Sequence, residues 1–243
     1  VEKYDLSSLE LILSGAAPLG EGVALEAANR IGCNIAQGFG MTEASPVTHL
    51  LPISDEKKNI GSIGLPIPNT EVMIVDPETE TPLGKNQNGE IWIRGPQIMK
   101  GYLNRPKDTA DSITKDGWYR TGDIGYVDEE GLFYAVDRIK ELIKFKGMQV
   151  APAELEALLL THPSIADVAV IPVADEEAGE LPKAVVVTKP EVEMSEADVM
   201  SFVSERVAPH KRIRIVEFVQ QIPKSASGKI LRRVLIQKER EKK

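Results

Sequence analysis

LELILSGAAPLGEGVALEAANRIGCNIAQGFGMTEASP (residues 9–46) reads as a β-α-β unit. Leu9 to Leu13 is a short apolar strand, SGAAPLG (14–20) a turn, Glu21 to Ile31 carries apolar residues at helical spacing, and Asn34 to Gln37 returns as a strand. A right-handed crossover makes the two strands parallel. Ligands of such sheets bind beyond the carboxyl ends of the strands. SGAAP and GFGMTEASP (38–46) are therefore expected to be neighbours at one site.

From Gly61 onward the pattern changes to hairpins. Val72 to Val75 and Glu90 to Arg94 flank the turn PETETPLGKNQNG (77–89), and GYVDEEGLFYAVDR (125–138) folds about Glu129-Glu130-Gly131. The spacing predicts a small antiparallel sheet or barrel packed on the α/β unit. After Arg138 the order is strand (Leu142–Lys146), helix (Pro152–Thr161), strands (Asp167–Val173 and Ala184–Thr188), helix (Glu196–Val207), strand (Ile215–Val219) and helix (Ile230–Glu241). Ser195 followed by Asp198 is a capping-box-like start. The expected organisation is 1–60 as the end of an α/β part, 61–137 as a β-rich, barrel-like subdomain, 138–141 as a hinge, and 142–243 as a compact α+β domain.

Composition excludes several function classes. One cysteine, Cys33, in 243 residues makes neither an internal disulfide nor a Cys-rich zinc cluster. No apolar run reaches the roughly 20 residues of a membrane helix, and VEKYDLSSLE lacks a signal-peptide layout. The expectation is a soluble, cytoplasmic protein with no membrane insertion. From Lys224 onward eight Lys/Arg face two Glu, leaving twenty-one basic against thirty-five acidic residues, or −14, in the rest of a chain of net charge −8. Such a body repels nucleic acid. The tail KILRRVLIQKEREKK places Ile230, Leu231, Val234 and Leu235 on one helical face with a solvated basic side. The chain opens with Val1, not Met, which suggests a piece of something longer.

Four stretches carry candidate chemistry, and each also has an ordinary structural reading. In GFGMTEA (38–44) two glycines around an aromatic let a flat ligand approach the backbone; Phe39 can stack on a base, Thr42 bond a phosphate and Glu43 hold magnesium. A glycine-rich turn after a strand accounts for it equally. In YRTGDIG (119–125), Asp123 in a Gly-flanked turn suits a ribose diol, or is an Asp in a β-turn. DRIKELIKFKGMQVAPAELE (137–156) concentrates Arg138, Lys140, Lys144 and Lys146 on an anion-handling surface or a solvated strand edge. PKSASGKILRR (223–233) delivers Lys229 on a Ser/Gly loop toward a phosphate or carboxylate, or caps the last helix; it is not a Walker A motif, since Ile230 stands where Ser or Thr would hold the metal. His49, His162 and His210 have no acid partner spaced for a triad and read as structural.

SGAAPLG, QGFGMTEA, GEIWIRG, GYLNRP, DGWYRTGD, DRIKELIKFKGMQVAPAELE and PKSASGK, in this order, resemble the acyl-adenylate-forming superfamily, most closely the 4-coumarate–CoA ligases and acyl-CoA synthetases. The resemblance spans essentially the whole chain. It implies that an acid and ATP form an acyl-adenylate and pyrophosphate, and that the thiol of coenzyme A then displaces AMP. It further implies an adenine site of Ala16, Gln37, Gly38 and Phe39, with Gly40 and Lys140 also among the nucleotide-binding residues. Thr42 falls on the AMP phosphate, Glu43 on Mg2+, and Asp123 and Arg138 on the ribose hydroxyls. Lys229 resembles the lysine that neutralises charge during adenylation. Lys140 falls at the family's hinge, about which the C-terminal domain would turn to present either Lys229 or the strand with Lys144, Lys146, Gly147 and Gln149. In that second state Lys144 and Gln149 would serve the thioester step, and Lys146 and Gly147 would receive coenzyme A. Val47, Thr48 and Leu50 are expected to line the acyl pocket.

The family's phosphate-binding loop and the histidine-bearing segment of its acyl pocket are absent. The resemblance therefore implies the C-terminal portion of an acid–CoA ligase, inactive or weakly active alone and lacking the N-terminal portion of the same enzyme. Its small-molecule carboxylic acid would be of hydroxycinnamate type, as in phenylpropanoid metabolism, or a fatty acid. Alternatives are a luciferase-like oxidoreductase, which shares the motifs although QKEREKK lacks the peroxisomal Ser-Lys-Leu ending, a carrier-loading adenylation domain, and a non-catalytic nucleotide-binding fragment.

Overall fold

The computed structural model describes residues 3–17, 19–53, 59–226 and 228–242. Pro18 of the SGAAPLG turn and Ser227 of the PKSASGK loop lie outside the described residues. The chain divides into two compact units, Val1–Ile139 and Lys140–Lys243.

In the first unit, β1 (Leu11–Ser14) and β2 (Asn34–Gly40) pair in parallel through α1 (Glu21–Ile31), with Ser14 opposite Gln37. The helix buries Ala24 and Ala28 against Ile35 and Ile60, small residues that let it lie close on the sheet. The strand β2 runs on past Gln37 to Gly40, so the expected glycine-rich turn is a strand end. The cause is β3 (Val47–Leu50), which folds back antiparallel and pairs Leu50 with Gly38 and Val47 with Gly40. A Cβ at Gly40 would come within 2.0 Å of the Pro46 carbonyl oxygen, so only glycine permits this return. The two-residue β4 (Leu65–Pro66) completes the sheet β1-β2-β3-β4.

Next come β5 (Glu71–Val75), β6 (Gly89–Arg94), α2 (Pro106–Ser112), β7 (Tyr119–Val127) and β8 (Phe133–Arg138). The four strands form an open antiparallel sheet in chain order. It corrects the barrel-like expectation, since no ladder joins β5 to β8 and no closed barrel forms among the described residues. Ile74, Ile91, Ile93 and Phe133 bury one face with Ile63, and an isolated bridge from Gly64 to Phe133 ties the preceding segment to β8.

The second unit is a five-stranded sheet with helices on both faces. β9 (Ile143–Phe145) and β10 (Met148–Val150) form a hairpin, α3 (Pro152–Leu160) follows, and β11 (Ile165–Asp175) and β12 (Gly179–Thr188) pair antiparallel along their length. Both of these strands extend beyond the sequence expectation because they meet in one tight hairpin at residues 175–179. Then come α4 (Glu196–Ser204), a single 3-10 turn (Pro209–Lys211), β13 (Ile215–Phe218), which joins β12 in parallel, and α5 (Arg232–Arg240). The capping box at Ser195 and Asp198 is present. Period-two alternation sends Val168, Val170, Ala184 and Val186 into a core with Leu155, Leu159, Val199 and Val203 from α3 and α4. Ala169, Ile171 and Val185 face the other way, against Leu235 of α5 and Ile222.

Candidate functional site

The first unit gathers its candidate residues at the carboxyl ends of β1 and β2 and along β7 and β8. Ser14 beside Gln37 brings the SGAAP and GFGMTEASP loops together, and a Cβ at Gly15 would lie 3.5 Å from the Gly38 carbonyl oxygen. Ala16 adopts a left-handed φ of 70°, an unusual conformation for alanine. Gln37 is buried, and its Nε2 donates to the carbonyls of Leu19 (3.1 Å) and Ile60 (2.7 Å), so its side-chain amide braces the site instead of facing it. Phe39 is half-buried, packed edge-on to His49 with ring centroids 5.7 Å apart.

Thr42 opens a 3-10 turn (Thr42–Ala44) and is exposed. Glu43, half-buried beside it, accepts a hydrogen bond from the Tyr102 hydroxyl at 2.9 Å, while its carbonyl takes the Met99 amide at 2.8 Å. Tyr102 in turn lies 3.5 Å from the Tyr119 hydroxyl. Burial first, then Tyr102 and the charge of Glu43, hold the Tyr119 phenol far above its usual range, so it stays protonated. Tyr102 belongs to GYLNRP, whose sequence offered no chemistry of its own; its partnership with Glu43, 59 residues away, exists only in three dimensions.

Asp123 corrects a second expectation. It does not sit in a turn but inside β7, where the ladder with β6 is broken. Glu90 faces Ile124 while Trp92 faces Arg120, so Thr121, Gly122 and Asp123 stand opposite the single residue Ile91. Asp123 is 7% exposed and accepts from Arg138 Nε at 3.1 Å across the β7/β8 ladder. Arg138 itself keeps 62% of its side chain exposed.

The three residues expected at an acyl pocket separate. Val47 and Leu50 are about two-fifths exposed, whereas Thr48 is fully buried, its hydroxyl 3.2 Å from the Phe39 carbonyl oxygen and 3.0 Å from His49 Nδ1. On the sheet surface Leu50 instead has Leu13 for company, both side chains lying beside Gly38. Thr48 thus supports Phe39 and does not line an open surface.

In the second unit Lys140 is the first residue and is exposed. Lys144 and Gln149 face each other across the β9/β10 hairpin, both exposed. Lys146 forms the hairpin turn with Gly147, in a left-handed φ of 49°, and pairs with Glu177 at 2.7 Å. Lys229 sits in a loop closed by an isolated bridge between Lys224 and Ile230. Ser225 organises it: its amide donates to the Lys229 carbonyl (2.9 Å), its carbonyl accepts the Gly228 amide (2.9 Å), and its Oγ accepts the Lys229 amide (3.1 Å). Lys229 is exposed, and its ammonium has no ion-pair partner among the described residues.

The profile of the AMP-binding enzyme family matches residues 1–103, and that of the AMP-binding enzyme C-terminal domain matches residues 154–229. A 4-coumarate–CoA ligase 2 of Oryza sativa subsp. japonica is 53% identical over 241 residues, 97% of this chain and 42% of the rice protein. A 4-coumarate:CoA ligase 1 of Petunia hybrida is 54% identical, over 97% of this chain and 44% of its own length. Among solved structures, ATP-bound MatB from Rhodopseudomonas palustris superposes with a TM-score of 0.88 at 31% identity, covering 94% of this chain and 45% of MatB. An anthranilate CoA ligase, AuaEII, in complex with anthranoyl-AMP gives 0.88 at 30% identity over 98% of this chain and 46% of the ligase. The chain spans less than half the length of the curated relatives it matches.

Proposed function

The chain belongs to the AMP-binding enzyme family, and we propose that it carries the nucleotide-binding rim and C-terminal domain of an AMP-forming acid–CoA ligase. In the first step a carboxylate oxygen of the acid attacks the α-phosphorus of ATP and the bond to pyrophosphate breaks. In the second the sulfur of coenzyme A, losing its proton, attacks the acyl carbon and AMP leaves, giving the thioester.

The observation that carries this reading is the buried Asp123 carboxylate beside Arg138, in the same unit as the Gly-Phe-Gly-Met-Thr-Glu segment. A buried acidic side chain with a mostly exposed arginine at its mouth suits two adjacent hydroxyls better than it suits a cation. Asp123 and Arg138 would hold the ribose. Ala16, the backbone of Gln37 and Gly38, Phe39 and Gly40 would receive the adenine, and Thr42 would bond the α-phosphate. Glu43 would hold magnesium, whose role there is to neutralise phosphate charge. No three His, Cys, Asp or Glu side chains converge as a metal cage among the described residues. One carboxylate completed by phosphate oxygens and water is, however, a usual magnesium environment.

Lys229, exposed on its braced loop, would neutralise charge building between the carboxylate and the α-phosphate. Lys140 would be the hinge at which the second unit reorients between half-reactions. Lys144 and Gln149 would then act in thioester formation, with Lys146 and Gly147 receiving coenzyme A. Val47 and Leu50 would contribute to the acyl site, and the names of the relatives support a hydroxycinnamate-type acid.

Calorimetric titration of the chain with AMP tests the reading. Asp123→Asn is expected to weaken binding by about tenfold or more, the loss of a hydrogen-bonded charge. Absence of AMP binding at millimolar concentration, or an Asp123→Asn chain that binds as the wild type does, overturns it.

A further inference from the structure

GEIWIRG (89–95) supplies a buried carboxylate to which the proposed chemistry assigns no part. Glu90 is 7% exposed, with no Lys or Arg paired to it among the described residues. Its Oε1 accepts the Gly122 amide at 2.8 Å and its Oε2 accepts Trp92 Nε1–H at 2.8 Å. A carboxylate taken out of water without a counter-ion is costly, and an apolar residue would fill a plain core position at lower cost. What the charge holds is therefore informative: it holds the bulge that carries Asp123.

At this bulge β7 places three residues opposite Ile91, and Gly122 adopts a left-handed φ of 71°. Every amide and carbonyl taken out of the ladder needs a partner. The Gly122 amide goes to Glu90, and the Gly122 carbonyl accepts the Ile139 amide at 2.8 Å. The Asp123 amide goes to Thr121 Oγ1 at 3.0 Å, and that hydroxyl donates to the Ile91 carbonyl at 2.7 Å. Bulges re-aim a side chain. Here the amide of the residue before Asp123 is held by the Glu90 carboxylate.

We propose that Glu90 is a positioning residue for the ribose subsite, acting through Gly122 to direct the Asp123 carboxylate. The proposal rests on the reading of Asp123 and Arg138 as ribose contacts. Its readout is discrimination: the affinity of the chain for AMP relative to 2′,3′-dideoxy-AMP, both measured by calorimetry. The wild type is expected to prefer AMP by about tenfold or more. Glu90→Gln, which removes the charge and leaves one carbonyl oxygen for the two donors of Gly122 and Trp92, is expected to bring that ratio down toward one while leaving dideoxy-AMP affinity unchanged. Trp92→Phe removes the other donor, keeps the Glu90 to Gly122 bond, and is expected to keep the ratio.

A wild type that does not discriminate overturns the ribose reading and this proposal with it. A discriminating wild type with an equally discriminating Glu90→Gln overturns this proposal alone. Equal loss in Glu90→Gln and Trp92→Phe makes the residue a core support and also overturns it. If Glu90→Gln does not fold, Glu90→Asp carries the same expectation, since it keeps the charge and shortens its reach to Gly122. Failure of both to fold overturns the proposal.

Discussion

His49 lies in β3 with no exposed surface, between the rings of Phe39 and Phe133, whose centroids are 5.7 and 5.0 Å from its own. Thr48 donates to the Phe39 carbonyl and so offers His49 Nδ1 an acceptor, leaving Nε2 buried without a hydrogen-bond partner. Burial pushes the imidazole down from 6.5 to about 4. In the unfolded chain it takes a proton near pH 6.5, so between those values the unfolded state binds more protons and stability falls as the pH falls. We expect up to about 3 kcal/mol of the first unit's stability to be lost this way between pH 7 and pH 4. Urea unfolding of wild type and His49→Met across that range reads it: carboxylate titration is common to both, so the difference between the curves isolates the histidine. The sequence supports a structural reading for His49 because no acid is spaced to serve it. Its partners, Thr48 and the two phenylalanine rings, become visible only once β3 is folded against β2 and the segment at Gly64 meets β8.

At the scale of elements, α5 is anchored by its first residue. Arg232, with its side chain 11% exposed, makes a two-pronged pair with Glu156 of α3 (2.8 and 2.9 Å) and reaches Glu141 through Nε at 2.8 Å. Glu156 also accepts the Val170 amide of β11 at 2.7 Å. The helix therefore begins at Arg232 and not at Ile230, since the preceding residues belong to the bridged Lys229 loop. Arg232→Leu leaves the Glu156 carboxylate buried without its cation and is expected to destabilise the second unit by about 3–5 kcal/mol, read from its urea midpoint. Periodicity in the sequence marks α3, α4, β11 and β12, because a buried face repeats every two or 3.6 residues. The bulge in β7 breaks that rule, so TGD reads as a turn until β6 is laid beside it.

Across the whole molecule, each unit has its own core and its own candidate groups. The residues proposed to bind nucleotide, from Ala16 to Arg138, fall in the first unit, and Lys144, Gln149 and Lys229 fall in the second. Residues 140–243 expressed alone are expected to unfold cooperatively by circular dichroism, on the core of Ile143, Leu155, Val170 and Val186. In calorimetry they are expected to take up no AMP. A non-cooperative melt, or AMP affinity equal to that of the full chain, would contradict this partition. The charge asymmetry of the chain also resolves at this scale. Tail cations meet the acidic body at Lys224 with Asp167 (2.7 Å), Arg232 with Glu156, and Lys242 with Glu217 (2.6 Å).

Amino-acid order alone determined the β-α-β opening, the hairpins of the first unit, the helices and the strands β9, β11, β12 and β13 of the second unit, and the family, because these depend on local periodicity, turn chemistry and motif order. It also marked Asp123, Lys229 and Glu43 as candidate residues. Tertiary structure alone decided that Gln37 and Thr48 brace the site instead of facing it, that Tyr102 holds Glu43, and that Glu90 holds the strand carrying Asp123. Those roles depend on hydrogen-bond partners up to 59 residues apart, brought together when buried polar groups must find donors and acceptors in a core that excludes water.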